Sequence, residues 1–148
     1  MPLTPSRATE QLHLLVPATL TAARAATKRI LAICPCQDPQ QRALYAVAVM
    51  EWLVNVVKHG YRFAENERIR ISATVYGDGM ELQIEDTGCG ISTERFEAAP
   101  AEVHFDPEDI ASLPESGMGL AIIKTVMDSV AYSSSDGVNR LVAVRRWQ

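Results

Sequence analysis

Residues 43–57 read ALYAVAVMEWLVNVV. Almost every position is apolar, and a helix that is apolar nearly all round is buried nearly all round. Two polar residues, Glu51 and Asn55, stand in its middle. At 3.6 residues per turn they lie one turn apart on one face, and Lys58 continues that line. A buried carboxylate is costly unless it is paired or bound to a cation. This face therefore either lines a pocket or holds a Glu-Asn-Lys hydrogen-bond network with a supporting role only. The helix is predicted over Pro39–His59, with Gly60 just past its C-terminus, where glycine is the usual residue.

Downstream, Ile69, Ile71, Ala73 and Val75 alternate with other residues, as do Met80, Leu82, Ile84 and Asp86. Two strands joined as a hairpin at Gly77-Asp78-Gly79 are predicted. No regular pattern follows between Gly88 and Ser116, apart from a short helical turn near Thr93–Ala98. A segment that long within one domain is usually a functional lid or disordered. Gly117 to Gly119 then opens a helix with Leu120, Ile123, Met127 and Val130 on one stripe. Two strands close the pattern, near Ala131–Ser135 and Asn139–Arg146, around a turn at Asp136-Gly137. Upstream, Leu12, Leu14 and Val16 alternate as a first strand. Pro17 reads as the opening of a helix over Ala18–Ile33, since proline is tolerated in a first turn, and Cys34–Pro39 breaks it.

The order β-α-α-β-β-lid-α-β-β predicts an α+β fold. It would be a two-layer α/β sandwich with a mixed, mostly antiparallel sheet and helices on one face. The 148 residues suit one domain. Residues 1–8 read as a flexible end, and residues 9–148 as a single domain with a lid at about 88–116.

Three local signals carry chemistry. An amide oxygen about 6 Å along a helix axis from a carboxylate suits an Asn ligand to Mg²⁺, with a Glu beside a reacting hydroxyl or water. By strand parity Asp86 points inward, and it runs into Asp-Thr-Gly-Cys-Gly. An inward carboxylate needs a donor, such as an adenine amino group, and the glycines allow close approach of a flat ring. The plain alternative is an Asp-Gly turn. Gly117-Met118-Gly119-Leu120 ends the long loop and offers the free N–H groups of a helix N-terminus to phosphate; the plain alternative is a glycine that merely frees a loop. There is no Walker A or Rossmann glycine pattern.

Composition narrows the field. A net charge of −4 argues against a nucleic-acid binder that relies on a general basic field. No signal-peptide core opens the chain and no apolar run has the length of a membrane span, so neither nucleic acid nor membrane is an expected partner and the cytoplasm is the expected location. Three cysteines, an odd number, suggest free thiols, and Cys34-Pro-Cys36 has the wrong spacing for a zinc knuckle.

Taken together, Glu51-x3-Asn55-x2-Lys58-His59-Gly60, Asp86-x-Gly88-x-Gly90 and Gly117-x-Gly119-Leu120 resemble the N, G1 and G2 boxes of the Bergerat-fold (GHKL) ATPases, the superfamily of gyrase, histidine kinases and MutL. Within it the chain resembles the anti-sigma regulatory factors, serine/threonine protein kinases of bacterial partner-switching systems. The supporting residues are the Leu-x-Leu-x-x-Pro strand at Leu12–Pro17, His59-Gly60-Tyr61, and Met127-Asp128-Ser129-Val130. The resemblance spans about Leu12 to Arg146. It implies ATP and Mg²⁺ as cofactors. It makes Glu51 the general base, Asn55 the Mg²⁺ ligand and Asp86 the adenine acceptor, with Gly88 and Gly90 shaping that pocket. Gly117 and Gly119 would free the lid, Met118 and Leu120 would offer backbone N–H groups, and Lys58 would reach a phosphate or else remain a solvated lysine. His59 would pack or cap. The implied partners are a STAS-domain anti-anti-sigma protein as substrate and a sigma factor or other regulatory target, and a homodimer through the sheet side is compatible.

The chain departs from that pattern in its lid, where the G2 box begins Pro114-Glu115-Ser116-Gly117 although many relatives have more glycine at this point. Between Ile91 and Ser116 stand seven Asp or Glu residues against the single Arg95, which leaves little positive charge for a terminal phosphate. This keeps open an ATP-gated binding switch with little kinase activity. A histidine-kinase catalytic domain is a third reading, set back by the strand and helix that occupy the place of a phosphorylated helical hairpin.

Overall fold

The computed structural model describes residues 8–64, 66–99 and 119–147. Of the expected flexible end only Ala8 falls within them, and of the expected lid only residues 88–99. Strand β1 spans Glu10–Pro17, helix α1 Leu20–Ile33 and helix α2 Pro39–Asn55; one π-helical turn, Val56–Gly60, follows directly. Then come β2 (Arg68–Tyr76), β3 (Gly79–Asp86), α3 (Thr93–Ala98), α4 (Gly119–Val126), β4 (Ser129–Ser135) and β5 (Val138–Arg146).

The strands form one sheet in the order β1-β2-β3-β5-β4. Among the described residues every pairing is antiparallel, so the sheet is antiparallel rather than mixed there. Register places Leu14, Ile71, Ile84, Leu141 and Tyr132 in one row across all five strands. Ile71, Ile84 and Leu141 are sealed in the core beneath the helices. The neighbouring row, Leu15, Arg70, Glu85, Arg140 and Ser133, belongs to the other face, where Arg140 pairs with Glu85 at 3.0 Å. One face packs and the other is polar, which is the usual consequence of period-2 alternation in an antiparallel sheet.

Local chemistry sets the helix boundaries. Pro17 does not open α1: it is the last residue of β1, and the Thr19 side chain caps the helix by accepting from the Ala22 N–H at 3.1 Å. Asp38 caps α2 ahead of Pro39 in the same way. The Arg42 guanidinium donates to the carbonyls of Leu31, Cys34 and Cys36, satisfying the end of α1 and tying it to α2. The second helix does not run as an α-helix to His59. It changes after Asn55 to the wider π turn, a form found mostly as single turns and often at functional sites. Helix α4 stops at Val126, so Met127 lies beyond it and Val130 belongs to β4 rather than to the helical stripe. The hairpin at Gly77-Asp78 and the turn at Asp136-Gly137 stand as read; the latter has positive φ at both residues, 53° and 77°, which matches the right-handed twist of its strands.

Candidate functional site

Helix α2 packs along α4, and between them and the end of β3 lies a cavity of about 520 Å³. That volume falls within the range of about 300–1,000 Å³ common to small-molecule sites. Glu51, Asn55, Lys58, Asp86, Gly90, Gly119 and Leu120 all line it. Gly88 does not line it but packs on the backbone of Gly60, which does. Gly117 and Met118 fall outside the described residues.

At one end, α4 begins against α2. A Cβ placed on Gly119 would stand 2.8 Å from Glu51 Oε2 and 3.3 Å from Asn55 Nδ2, so the start of α4 is pressed onto this pair. Neither the Glu51 carboxylate nor the Asn55 amide hydrogen-bonds to another side chain among the described residues, and Lys58 is exposed. The supporting Glu-Asn-Lys network therefore does not form, and the oxygens of Glu51 and Asn55 remain available to the cavity. A single unpartnered amide oxygen suits Mg²⁺, which takes oxygen ligands and keeps several waters.

At the other end, the π turn and the loop after β3 are stitched together. A Cβ on Gly88 would meet the backbone C and O of Gly60 at 2.6 Å, so only glycine allows this approach. The Cys89 N–H donates to Gly60 O at 3.0 Å, and its thiol to His59 O at 3.0 Å. Tyr61 completes the seam: its hydroxyl donates to Arg68 O and accepts from the Thr87 N–H, both at 2.7 Å. His59 itself is exposed on the cavity.

Asp86 is buried, and its Oδ1 accepts from the Gly88 N–H and from Asn139 Nδ2, each at 2.9 Å. Burial raises its pKa above the ordinary value, and the two hydrogen bonds oppose that rise. Behind it an aromatic wall forms. Tyr132 lies edge-on to Trp52 and stacked on Phe96, and its hydroxyl accepts from the Ile91 N–H at 3.0 Å. Burial raises the Tyr132 pKa as well, ahead of smaller contributions from Asp86 and Cys89. The Lys124 ammonium lies over the Phe96 ring and donates to the carbonyls of Phe96 and Ala99, holding the end of α3 at the cavity rim.

Sequence reasoning missed Asn139, Tyr132, Trp52 and Lys124. Asn139 left a trace, because it shares strand parity with the inward Leu141 and Ala143, and an inward amide asks for partners. Tyr132 faces inward by the same rule. Nothing local marked Lys124, whose partners lie about seven helical turns of sequence away.

Comparisons with known proteins bear on the family and the fold. The histidine kinase-like ATPase domain family matches residues 15–145. The serine-protein kinase RsbW of Listeria innocua is 33% identical over 95 residues, covering 63% of this chain and 59% of that protein. The anti-sigma F factor of Clostridium perfringens is 31% identical over 100 residues, covering 67% of this chain and 68% of its own length. The chain thus spans less than two thirds of the RsbW relatives. In a crystal structure of the RsbU and RsbW domains of a Mycobacterium tuberculosis protein, a match with TM-score 0.61 and 21% identity covers 93% of this chain and 32% of the other, which is agreement in fold. A five-stranded antiparallel sheet backed by helices, with its cavity between α2 and α4, is thus accompanied by a family match over nearly all its length, and the chain belongs to the histidine kinase-like ATPase domain family.

Proposed function

We propose that the chain is a Mg-ATP-dependent serine/threonine protein kinase that phosphorylates a STAS-type anti-anti-sigma protein and acts as an anti-sigma or partner-switching regulator. The observation that carries this reading is the contact of Gly119 with Glu51 and Asn55 on the same cavity that Asp86 lines. Gly60, beside Asp86, is nine residues past Glu51, about 13 Å at helical rise. That span suits a nucleotide with its base at Asp86 and its phosphates toward Glu51. The relatives, a serine-protein kinase and an anti-sigma factor, support the reaction and the partners.

In this reading Asp86 accepts from the adenine amino group, while Gly88 and Gly90 bring the loop close enough for a flat ring. The Leu120 N–H at the start of α4 meets the phosphates, and the family resemblance assigns the Met118 N–H to them as well, with Gly117 and Gly119 as the glycines of that motif. Lys58 adds positive charge at the rim. Asn55 holds Mg²⁺, which when bound neutralises phosphate charge. Glu51 takes the proton from the substrate hydroxyl. In phosphoryl transfer the protein chiefly positions groups and balances charge, so this small set suffices. Residues 9–148 act as one ATP-binding unit in the cytoplasm, and no described helix is long and apolar enough to cross a membrane.

The test is Mg-ATP-dependent transfer to the STAS protein encoded beside this chain, read by intact mass, with Glu51→Ala as control. One added phosphate, lost in the variant, is the expected result. Transfer that persists in Glu51→Ala removes the base from Glu51. The excess of acids over the lone Arg95 between residues 91 and 116 favours one second reading, an ATP-gated binding switch. Stable nucleotide-dependent partner binding without transfer would select it.

A further inference from the structure

Asn139 is 2% exposed and lies directly opposite Asp86 in the β3–β5 register and opposite Ser134 in the β4–β5 register. Both of its N–H donors and one lone pair of its oxygen are used. Nδ2 donates to Asp86 Oδ1 at 2.9 Å and to Gly88 O at 2.9 Å, and Oδ1 accepts from Ser134 Oγ at 2.7 Å. The reverse amide orientation would set its oxygen against a carboxylate and a carbonyl, so the partners fix the amide. Gly90 packs on the same group: a Cβ there would fall 2.5 Å from Asn139 Oδ1.

This arrangement decides which oxygen of Asp86 is offered. Oδ1 already accepts from Asn139 and from the Gly88 N–H. Oδ2 takes no hydrogen bond among the described residues. It is also absent from the sealed, unpartnered side-chain atoms, which places it open to the cavity that Asp86 lines. An ionised Oδ2 only accepts, so it favours a 6-amino purine and disfavours a 6-oxo purine, which presents an acceptor at that position. A protonated Asp86 would donate and lose the distinction.

We infer that Asn139 is the specificity-determining positioning residue of the base pocket: it holds Asp86 with Oδ2 forward as an acceptor, and so makes the site select 6-amino over 6-oxo purine nucleotides. This rests on the reading that the cavity takes ATP. The other titratable or charged groups on the cavity are Glu51, Lys58, His59, Arg95 and Tyr132, with Cys89 beside it in the loop. None of them donates a hydrogen bond to Asp86, and burial, which favours the neutral carboxyl, is opposed there by Asn139 and Gly88 alone.

The experiment measures binding of Mg-ATP and Mg-ITP by calorimetry to wild type, Asn139→Leu and Ser134→Ala. Wild type is expected to prefer ATP. Asn139→Leu is expected to lose roughly tenfold to a hundredfold in ATP affinity, the worth of a hydrogen bond to a charged group, while ITP binding falls far less. An equal loss for both nucleotides, as from plain structural damage, overturns the inference and leaves the kinase reading standing. So does a wild type that binds both alike. A wild type that binds neither overturns the kinase reading and this inference with it. Ser134→Ala, at an exposed position of β4, removes only the bond that orients the amide and serves if Asn139→Leu does not fold. A narrowed ATP-to-ITP ratio supports the inference, and an unchanged ratio overturns it.

Discussion

Asp86 is held in a state that suits a ligand better than it suits the empty fold. Burial places its folded-state pKa above the ordinary 3.8, so folding favours the protonated carboxyl. The stability this group contributes is complete below the unfolded value and is lost as pH rises through the raised folded value. At neutral pH the buried carboxylate is therefore a net cost. Asp86→Asn keeps an oxygen to accept from Gly88 and Asn139 and removes the charge. The nucleotide-free variant is expected to melt above wild type at pH 7, with the difference shrinking as pH falls toward 3.8. ATP affinity is expected to drop about tenfold to a hundredfold. Thermal melting across that pH range, beside a binding titration, checks both. A variant that melts lower at pH 7 would mean the carboxylate supports the fold.

Elements meet at two glycines, and the atoms they meet predict opposite outcomes. Gly88 rests on the backbone of Gly60 in the π turn, which cannot give way, whereas Gly119 rests on the free end of the Glu51 side chain, which can. Gly88→Ala should therefore destabilise the chain by about 1–3 kcal/mol, as overpacking does, and weaken nucleotide binding with it. Gly119→Ala should barely move the melting temperature but displace the carboxylate, cutting transfer by up to about a hundredfold with ATP affinity little changed. Melting curves and a separation of kcat from nucleotide KM distinguish the two. If both variants lose stability equally, the start of α4 is as rigidly seated as the loop after β3.

At the scale of the whole molecule, β2, β3 and β5 have a neighbour on each side, while β1 and β4 are edges. Helix α3 is six residues long and is held by Phe96 and by Lys124. Amide hydrogen exchange should be slowest in the three inner strands and much faster in α3, since local opening follows buried contacts. Exchange in α3 as slow as in β3 would contradict this. The same scale explains what could be read from the chain. Alternation at Ile69–Val75 and Met80–Asp86 and the apolar run at 43–57 are local, so β2, β3 and α2 were legible, as were Glu51, Asn55 and Asp86 as polar intrusions into them. The π turn was not, because hydrophobic spacing does not distinguish one helical closure from another over five residues. Val130 continued the apolar spacing of α4 although Ser129 had already begun a strand. Pro17 fits a first turn and a strand end equally well, and the Thr19 cap decided between them. The Asp86–Asn139 pair arises only because β5 inserts between β3 and β4, an event no local pattern records.

That insertion has a consequence for the newborn protein. Of the five described strands, β5 is the last in the chain, yet it supplies the amide that holds Asp86. Glu51, Asn55 and Asp86 all precede Asn139 in the chain, so Asp86 gains its amide partner only once β5 lies beside β3. In the proposed reading, a nucleotide that depends on Asp86 binds after β5 has paired with β3 rather than before.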